Sequence, residues 1–302
     1  RAVRKAPRFS ADVDAVLQRV DASGLRYRMY GLVPDPRYTP EGFVRVIDVR
    51  RPENAAMTIY DKTDYVVPPA MLGDLVSSLL EQPGPSPAFD NFRQPTSHIR
   101  DLLVCTHGTR DRCCATFGYP VYNRLRRTFD QDESGTTRVW RVSHLGGHRF
   151  APTVLDLPDG RNWAYLDQET TERLEQRSGD RIDLQRHYRG WAALSSLPEM
   201  VAERAAFERE GWRWLTRSVR SEIIRPTDPI TERTVVRLSF AGPRGTEPGY
   251  YDVVVEPSGV VTESMGSCTD DKPRIHRQFH VTEITKNDLC RPRPYAMAAT
   301  AE

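Results

Sequence analysis

Residues 101–151 concentrate the side chains that bind metals, with three of the five cysteines and three of the seven histidines of the chain. Cys105 and Cys114 are separated by eight residues, and His144 and His148 bracket the sequence Leu-Gly-Gly. Glycine lacks the Cβ atom that normally excludes positive φ, so this loop can turn closely around a bulky group. We therefore predict that two thiolates and two imidazoles converge on one centre.

Two metal centres use such a donor set. Structural zinc sites usually pair cysteines roughly two to four residues apart and histidines roughly three to five apart, so the His spacing fits zinc and the Cys spacing does not. A [2Fe–2S] cluster is wider, takes ligands from separate loops, and accepts His in place of Cys on one iron. The spacing favours a cluster but leaves two alternatives open, a zinc site and a set of buried thiols and core histidines that bind nothing.

The compound motif Cys105-x8-Cys114 followed by His144-x-Gly-Gly-His148 resembles the signature of the sucrase/ferredoxin-like family, a branch of the thioredoxin-like [2Fe–2S] ferredoxins. The run Arg149-Phe150-Ala151 and residues 157–161 also share in the resemblance. It implies a thioredoxin-like domain that carries a [2Fe–2S] cluster, with Cys105 and Cys114 on one iron and His144 and His148 on the other. It weakens before about Val44 and after about Gly190.

Other polar residues near the motif are expected to surround the cluster, because nearby charges and hydrogen bonds tune its potential. Cys113 adjoins Cys114, and we predict that it is not a ligand. A second metal site built from Cys268, Cys290, His276 and His280 is not favoured, because histidines on one face of a strand are common in solvent-facing sheets. The expected surrounding residues are His107, Arg110, Asp111, Cys113 and Arg149.

The composition and the absence of certain motifs argue against several classes of protein. Basic and acidic residues nearly cancel, at 43 against 41, which argues against a nucleic-acid-binding protein that neutralises phosphates. No Gly-rich phosphate loop follows a predicted strand, and no pair of carboxylates is placed for sugar hydrolysis. No segment has the length and apolarity of a membrane span or the pattern of a signal peptide. An odd number of irregularly spaced cysteines suits a reducing compartment, so we expect a cytoplasmic protein.

These observations predict an electron carrier or redox subunit, rather than an enzyme acting alone, that exchanges electrons with a partner protein. The alternative is a zinc-stabilised binding module that uses the same Cys₂His₂ set, with the C-terminal domain as its working part.

The elements that must position the ligands follow the order β-α-β-β-α, which a thioredoxin-like core requires. Apolar runs end shortly before the proposed ligands in both ligand strands. The prediction comprises strands at 102–104 and 137–142, a helix at 120–129 that begins with Pro120, a hairpin of strands 153–157 and 163–166, and a helix at 168–177.

The predicted fold class is α/β, a thioredoxin-like ferredoxin core with an N-terminal α/β region and a C-terminal α+β domain. Residues 1–95 form the N-terminal region and a Pro-rich linker, with helices at 10–23 and 69–80 and strands at 26–32, 43–49 and 56–60. The first helix opens with Ser10 as its candidate N-cap, and its apolar face consists of Val13, Val16, Leu17 and Val20. Residues 96–185 form the ferredoxin domain. Residues 186–302 form a helix at 199–219 on an antiparallel meander, with a turn at Pro257-Ser258-Gly259, and we expect this domain to fold independently. The apolar face predicted for this helix consists of Val201, Ala205, Trp212 and Leu215.

Overall fold

The structure is a computed structural model that describes residues 4, 9–52, 56–81, 87–130, 135–179, 184–225, 232–270 and 273–289, without the side chains of 260–263. These residues form a mixed α/β fold with three sheets of three, five and four strands. Parts of the predicted linker, at 82–86, and the residue Cys290 lie outside the described residues.

The N-terminal region packs two helices beside a small antiparallel sheet. Helix α1 (Ala11–Ser23) begins at the N-cap Ser10, whose hydroxyl accepts a hydrogen bond from the Val13 amide, as predicted. Its buried face packs against α2 (Leu72–Glu81). The sheet is ordered β1 (Val44–Arg50), β2 (Asp61–Val67) and β3 (Arg93–Gln94). The buried residues of α1 are the four predicted for its apolar face, Val13, Val16, Leu17 and Val20.

Two predicted N-terminal strands are wrong. Residues 26–32 and 56–60 form only the isolated bridges Leu32–Val142 and Met57–Val219. The apolar side chains at 30 and 32 pack on the central sheet without a hydrogen-bonded ladder, which explains their alternation. The strand that the structure has in place of 56–60 is β2. It was not predicted, because the charged residues Lys62 and Asp64 interrupt its apolar pattern. Both are buried and paired, Lys62 with Asp101 and Asp64 with Arg45 and Arg138.

The five-stranded sheet carries the proposed ligands. Its order is β5 (Thr137–Val142), β4 (Arg100–Cys105), β6 (Thr153–Leu157), β7 (Arg161–Ala164) and β8 (Tyr188–Trp191). Strand β4 is parallel to β5 and antiparallel to β6. Helix α3 (Arg112–Asp130) connects β4 to β5, and α4 (Gln168–Gln176) follows β7. The predicted strands, hairpin and α4 are present, although the second hairpin strand begins at Arg161 rather than Trp163.

Helix α3 is longer than predicted. It begins at Arg112, so Cys113 and Cys114 lie in its first turn and Pro120 lies inside the helix. The predicted start at Pro120 is therefore wrong. An apolar face that buries Cys114, Gly118, Val121 and Leu125 extends through the proline, and tertiary packing of this face offsets the hydrogen bond that proline cannot donate.

The C-terminal region packs helix α5 (Leu197–Glu210) against a four-stranded antiparallel sheet of order β12-β11-β10-β9. Its strands are β9 (Ser218–Arg225), β10 (Thr234–Ala241), β11 (Gly249–Met265) and β12 (Pro273–Asp288). Helix α5 begins after the N-cap Ser196 and ends at Gly211, where φ is 64°, so the predicted extension to Val219 is wrong. Its buried residues are Ala202, Glu203, Ala206 and Phe207 rather than the predicted Val201 and Ala205.

The predicted turn at Pro257-Ser258-Gly259 is also wrong. Strand β11 continues through it, with a register irregularity between Pro257 and Val261. The pairing of β10 with β11 ends at Val255, so among the described residues β11 has a neighbouring strand on only one side at the proline. A bulge there accommodates both the missing proline amide and the φ of 70° at Gly259.

One hydrophobic core joins the last two regions. It includes Leu102 and Val121 of the five-stranded sheet region, Ala202 and Phe207 of α5, and Val253 of β11. The division of the chain at residues 185 and 186 remains a prediction. The core contains residues from both sides of this division, and this argues against independent folding of the C-terminal region.

Candidate metal centre

Cys105 and Cys114 are brought together by the contact of β4 with α3. Cys105 is the last residue of β4, and Cys114 lies in the first turn of α3. An ideal Cβ at Gly118 would lie 2.1 Å from the Cys105 carbonyl oxygen, so only glycine allows the helix to approach the strand end this closely. Both thiols are buried, with about 1% of each residue exposed.

His144 completes the first ligand group. It follows β5, and its Nδ1 lies 3.6 Å from the Cys114 Sγ. The ligand atoms of Cys105, Cys114 and His144 all lie within 4.8 Å of one another. The His144 backbone amide donates a hydrogen bond to Nδ1 of His107 at 3.3 Å, which orients the loop that carries it.

The two thiols of this group have opposite pKa shifts. The hydrogen bond from Cys114, followed by those from His144 and the backbone amides of Leu145 and His107, lowers the pKa of Cys105 to about 4. The same hydrogen bond raises the pKa of Cys114, and burial adds to the effect. One thiolate is thus already stabilised in this pair, as binding to a metal requires.

A second ligand group lies nearby and contains Cys113, His148 and Cys268. The Nδ1 atom of His148 is 3.6 Å from the Cys113 Sγ and 3.4 Å from the Cys268 Sγ. His148 begins a single 3₁₀ turn, His148–Phe150, after Gly146 and Gly147, whose φ angles are 95° and 66°. These positive φ angles match the role predicted for the two glycines.

Asp111 lies between the two groups. Its Oδ2 is 3.6 Å from Nδ1 of His144, and its Oδ1 is 3.9 Å from Nδ1 of His148. Oδ1 also accepts hydrogen bonds from the Ser267 hydroxyl at 2.8 Å and the Cys268 amide at 2.6 Å. Burial favours the neutral acid, but the hydrogen bonds from the Cys268 amide and the Ser267 hydroxyl, with a smaller attraction from the two histidines when they are protonated, outweigh it and lower the pKa of Asp111. Its charge is therefore retained between the imidazoles.

The loop after β11 fixes the orientation of His148. The Nε2 atom of His148 lies 2.7 Å from the carbonyl oxygen of Met265. A carbonyl only accepts hydrogen bonds, so Nε2 must carry the proton, and Nδ1 of the neutral ring presents its lone pair to the thiols. Metal-binding histidines are commonly oriented in this way by an outer hydrogen bond.

The donor set fits an iron–sulfur cluster or zinc, because it combines thiols with two imidazole rings that lie within 4.8 Å of them. The sequence profile of the sucrase/ferredoxin-like family matches residues 20–190, which is more than half of the chain. The chain belongs to this family.

The family membership is accompanied by a weak structural likeness. A solved structure described as a thioredoxin-like [2Fe–2S] ferredoxin from Aquifex aeolicus is 15% identical and matches with a TM-score of 0.28. The match covers 33% of this chain and 98% of that one, and it is too slight to support a conclusion on the fold. No curated protein matches the chain. Within the described residues, no helix is long and apolar enough to cross a membrane.

The four family-motif residues predicted as ligands lie in these two groups, three in the first and His148 in the second. The assignment of each to an iron remains a prediction. Of the surrounding residues, His107, Asp111 and Cys113 contact ligand residues directly. Arg110 lies 4.0 Å from Asp111, and Arg149 stacks on the Phe150 ring.

The sequence did not predict that the C-terminal region contributes to this centre. Met265, Ser267 and Cys268 all contact residues of the family motif. Cys268 was considered only for another site, with His276, His280 and Cys290. The one feature of the sequence that could have pointed to Cys268 is that it is a cysteine. Nothing in the residues around it indicates a contact with His148, 120 positions earlier in the chain.

Proposed function

We propose that this protein transfers electrons through a [2Fe–2S] cluster held by Cys105, Cys114, His144 and His148. The cysteines bind one iron and the histidines the other, as the resemblance of this motif to the family signature implies. When bound, such a cluster accepts and donates one electron at a time. The observation that carries the proposal is the convergence of two deeply buried thiols with His144, beside a second imidazole held with its Nδ1 lone pair toward the same region.

Several residues around the proposed ligands have a role in this proposal. The low pKa of Cys105 supplies a thiolate, and the amides of His107 and Leu145 stabilise its charge. Asp111 places a negative charge beside both imidazoles and holds the loop at 267–268 over them. Met265 fixes the tautomer of His148. These residues keep the ligand atoms oriented in both oxidation states, which lowers the reorganisation that electron transfer requires.

The five-stranded sheet supports a thioredoxin-like core as part of the proposal. Strands β4 and β5 are parallel and joined by α3, and an antiparallel hairpin, β6 and β7, leads to α4. The observed order is β-α-β-β-β-α, which contains each strand and helix predicted for this region and has one strand more than the predicted order β-α-β-β-α. In it, Cys105 lies at the end of β4 and His144 shortly after β5, so parallel neighbouring strands deliver both to the same edge.

An arginine cluster beside His148 suggests where a redox partner binds. Arg149 and Arg189 stack on the Phe150 ring at 4.3 and 3.8 Å, and Arg186 stacks on Tyr165. All three are exposed, and no carboxylate pairs with them in the described part of the chain. We propose that this face docks an acidic surface of the electron donor or acceptor, because complementary charge accelerates association. The free thiols of the centre suit a reducing compartment such as the cytoplasm.

Analysis of iron and acid-labile sulfide after anaerobic purification tests the proposal. A cluster gives about two irons and two sulfides per chain with visible charge-transfer absorption. The alternative, a zinc-stabilised module, gives a colourless protein with zinc and no sulfide. That second result would overturn the proposed function.

A substitution series tests the ligand assignment. Cys105→Ser and Cys114→Ser should each lose most of the bound iron and sulfide, because each removes a thiolate from the proposed cluster. Cys113→Ser is the matched control in the same helical turn and should retain both. If Cys113→Ser bleaches the protein and Cys114→Ser does not, the ligand register is wrong by one residue.

A further inference from the structure

Two thiols outside the proposed ligand set also meet. The Sγ atoms of Cys113 and Cys268 are 2.9 Å apart, although the residues are 155 positions apart in the chain. Cys113 belongs to the first turn of α3, and Cys268 to the loop between β11 and β12. Neither has a role in the proposed electron transfer.

The structure holds this pair in place through other contacts. The Cys268 amide and the Ser267 hydroxyl both donate to Asp111, two residues before Cys113. Ser267 is fully buried, and Met265 is held by His148. The loop therefore has at least three attachments to the ligand region that do not involve the Cys268 side chain, and these attachments bring the two sulfurs together.

The two cysteine pairs differ in accessibility. Cys268 is exposed and Cys113 is partly exposed, whereas Cys105 and Cys114 are buried. Thiol–disulfide exchange requires a thiolate to approach a disulfide sulfur in line, so exposure decides which thiol reacts first. A small disulfide can reach Cys268 but not the buried pair.

We propose that Cys113 and Cys268 form a thiol–disulfide exchange site for low-molecular-weight disulfides. The Cys268 thiolate attacks one sulfur of the small disulfide, forms a mixed disulfide and releases the first small thiol. The Cys113 thiolate then attacks the Cys268 Sγ, forms the Cys113–Cys268 bond and releases the second. The protein loses two electrons to the small disulfide, and the two thiol protons end on the two released thiols.

The bond would join the loop between β11 and β12 to the first turn of α3. Excess small thiol reverses both steps. His148 lies against both sulfurs, so the exchange occurs beside a proposed ligand but uses neither buried thiol. This inference does not depend on the proposed cluster, because the pair and its attachments belong to the chain alone.

The test exposes the purified 302-residue chain to oxidised glutathione, blocks free thiols by alkylation, and maps linked peptides by mass spectrometry. We expect a Cys113–Cys268 bond that dithiothreitol reverses. Cys113→Ser removes the resolving thiol, so it should accumulate about tenfold more glutathione on Cys268 than the wild type does. Cys268→Ser should leave Cys113 unmodified, and Cys290→Ser is the control that should behave like the wild type.

Three outcomes would overturn the proposal. The first is a stable glutathione adduct on wild-type Cys268 without a bond to Cys113. The second is a bond from Cys113 to Cys105 or Cys114. The third is a zinc ion that Cys113, His148 and Cys268 retain and that blocks exchange until a chelator removes it. Iron and sulfide measured on the same samples separate these results from a failure of the proposed cluster.

Discussion

Replacing thiolates by imidazoles changes the charge that the ligands bring to a cluster. Each neutral imidazole replaces one negative charge, so the reduced state is less disfavoured and the potential rises. Centres with two His ligands lie at roughly −150 to +300 mV, against about −400 mV for plant-type ferredoxins with four Cys ligands. His144 and His148 would place this protein in the higher range.

The two histidines should respond differently to pH. The Nε2–H of His148 is committed to the Met265 carbonyl, whereas the contact of the His144 ring with the Cys114 Sγ uses Nδ1 and not Nε2. Oxidised iron lowers the pKa of the far imidazole nitrogen and reduction raises it, so between these two pKa values the potential should fall as pH rises. We predict a slope near −59 mV per pH unit over that range, for one proton per electron.

Voltammetry of the wild type from mildly acidic to strongly alkaline pH measures this slope. His144→Cys should flatten it, His148→Cys should preserve most of it, and replacing both should also lower the potential. A wild-type potential that is constant over the whole pH range would rule out proton coupling.

The sequence pointed to residues of one local motif that lie together in the structure, and it did not point to the residues that reach them from a distant part of the chain. Cys105, Cys114, His144 and His148 lie in one short stretch, and the structure collects them in two adjacent groups. Cys268 and Ser267 reach the same place only through tertiary contacts with Asp111. A single sequence contains no record of such a contact, because neither residue has a distinctive spacing from the motif.

Among the secondary-structure elements, α3 controls the geometry of the two cysteines proposed as ligands. Its first turn carries Cys114, and Gly118 lets it lie against the end of β4. We predict that Gly118→Ala destabilises the fold by about 1–3 kcal/mol and reduces iron and sulfide content, because a Cβ there would overlap the Cys105 carbonyl.

Denaturant unfolding and iron analysis measure both effects. The matched control is Phe117→Ala, on the exposed side of the same helix turn, which should change stability and iron content little. Equal effects of the two substitutions would mean that the close approach of α3 to β4 is not required.

Elements were predictable where local pattern and packing agree. Helix α1 shows this, since its cap and its apolar face were both found as predicted. The sequence pattern gave a wrong prediction where buried ion pairs place charged residues inside a strand, as at Lys62 and Asp64 in β2. It also gave wrong predictions where a proline lies in a well-packed helix, as in α3, and where a strand bulges instead of turning, as at Pro257.

At the scale of the whole molecule, the C-terminal region is part of the same structure as the ligand region. The buried guanidinium of Arg161 in β7 donates to Glu203 of α5 at 2.6 Å, and both side chains are fully buried. The shared core also includes Ala206 and Phe207. Removing α5 would leave Arg161 as an unpaired buried charge, which typically costs about 3–5 kcal/mol.

We therefore predict that a chain ending at Gln185 does not fold into a stable protein with bound iron. The sequence alone predicted the opposite, because the C-terminal pattern reads as a separate domain. A chain ending at Leu289 is the control and should fold, since it keeps every described contact. Circular dichroism and iron content compare the two. A coloured, cooperatively unfolding 1–185 protein would show that the shared core is dispensable.

Pulsed electron paramagnetic resonance of the reduced protein tests the central claim most directly, because it detects nitrogen nuclei bound to the paramagnetic centre. The proposal predicts two strongly coupled ¹⁴N nuclei in the wild type. His144→Cys and His148→Cys should each retain one, provided that the cluster is still present by iron and sulfide analysis. A reduced wild-type cluster with no strongly coupled nitrogen would contradict ligation by His144 and His148.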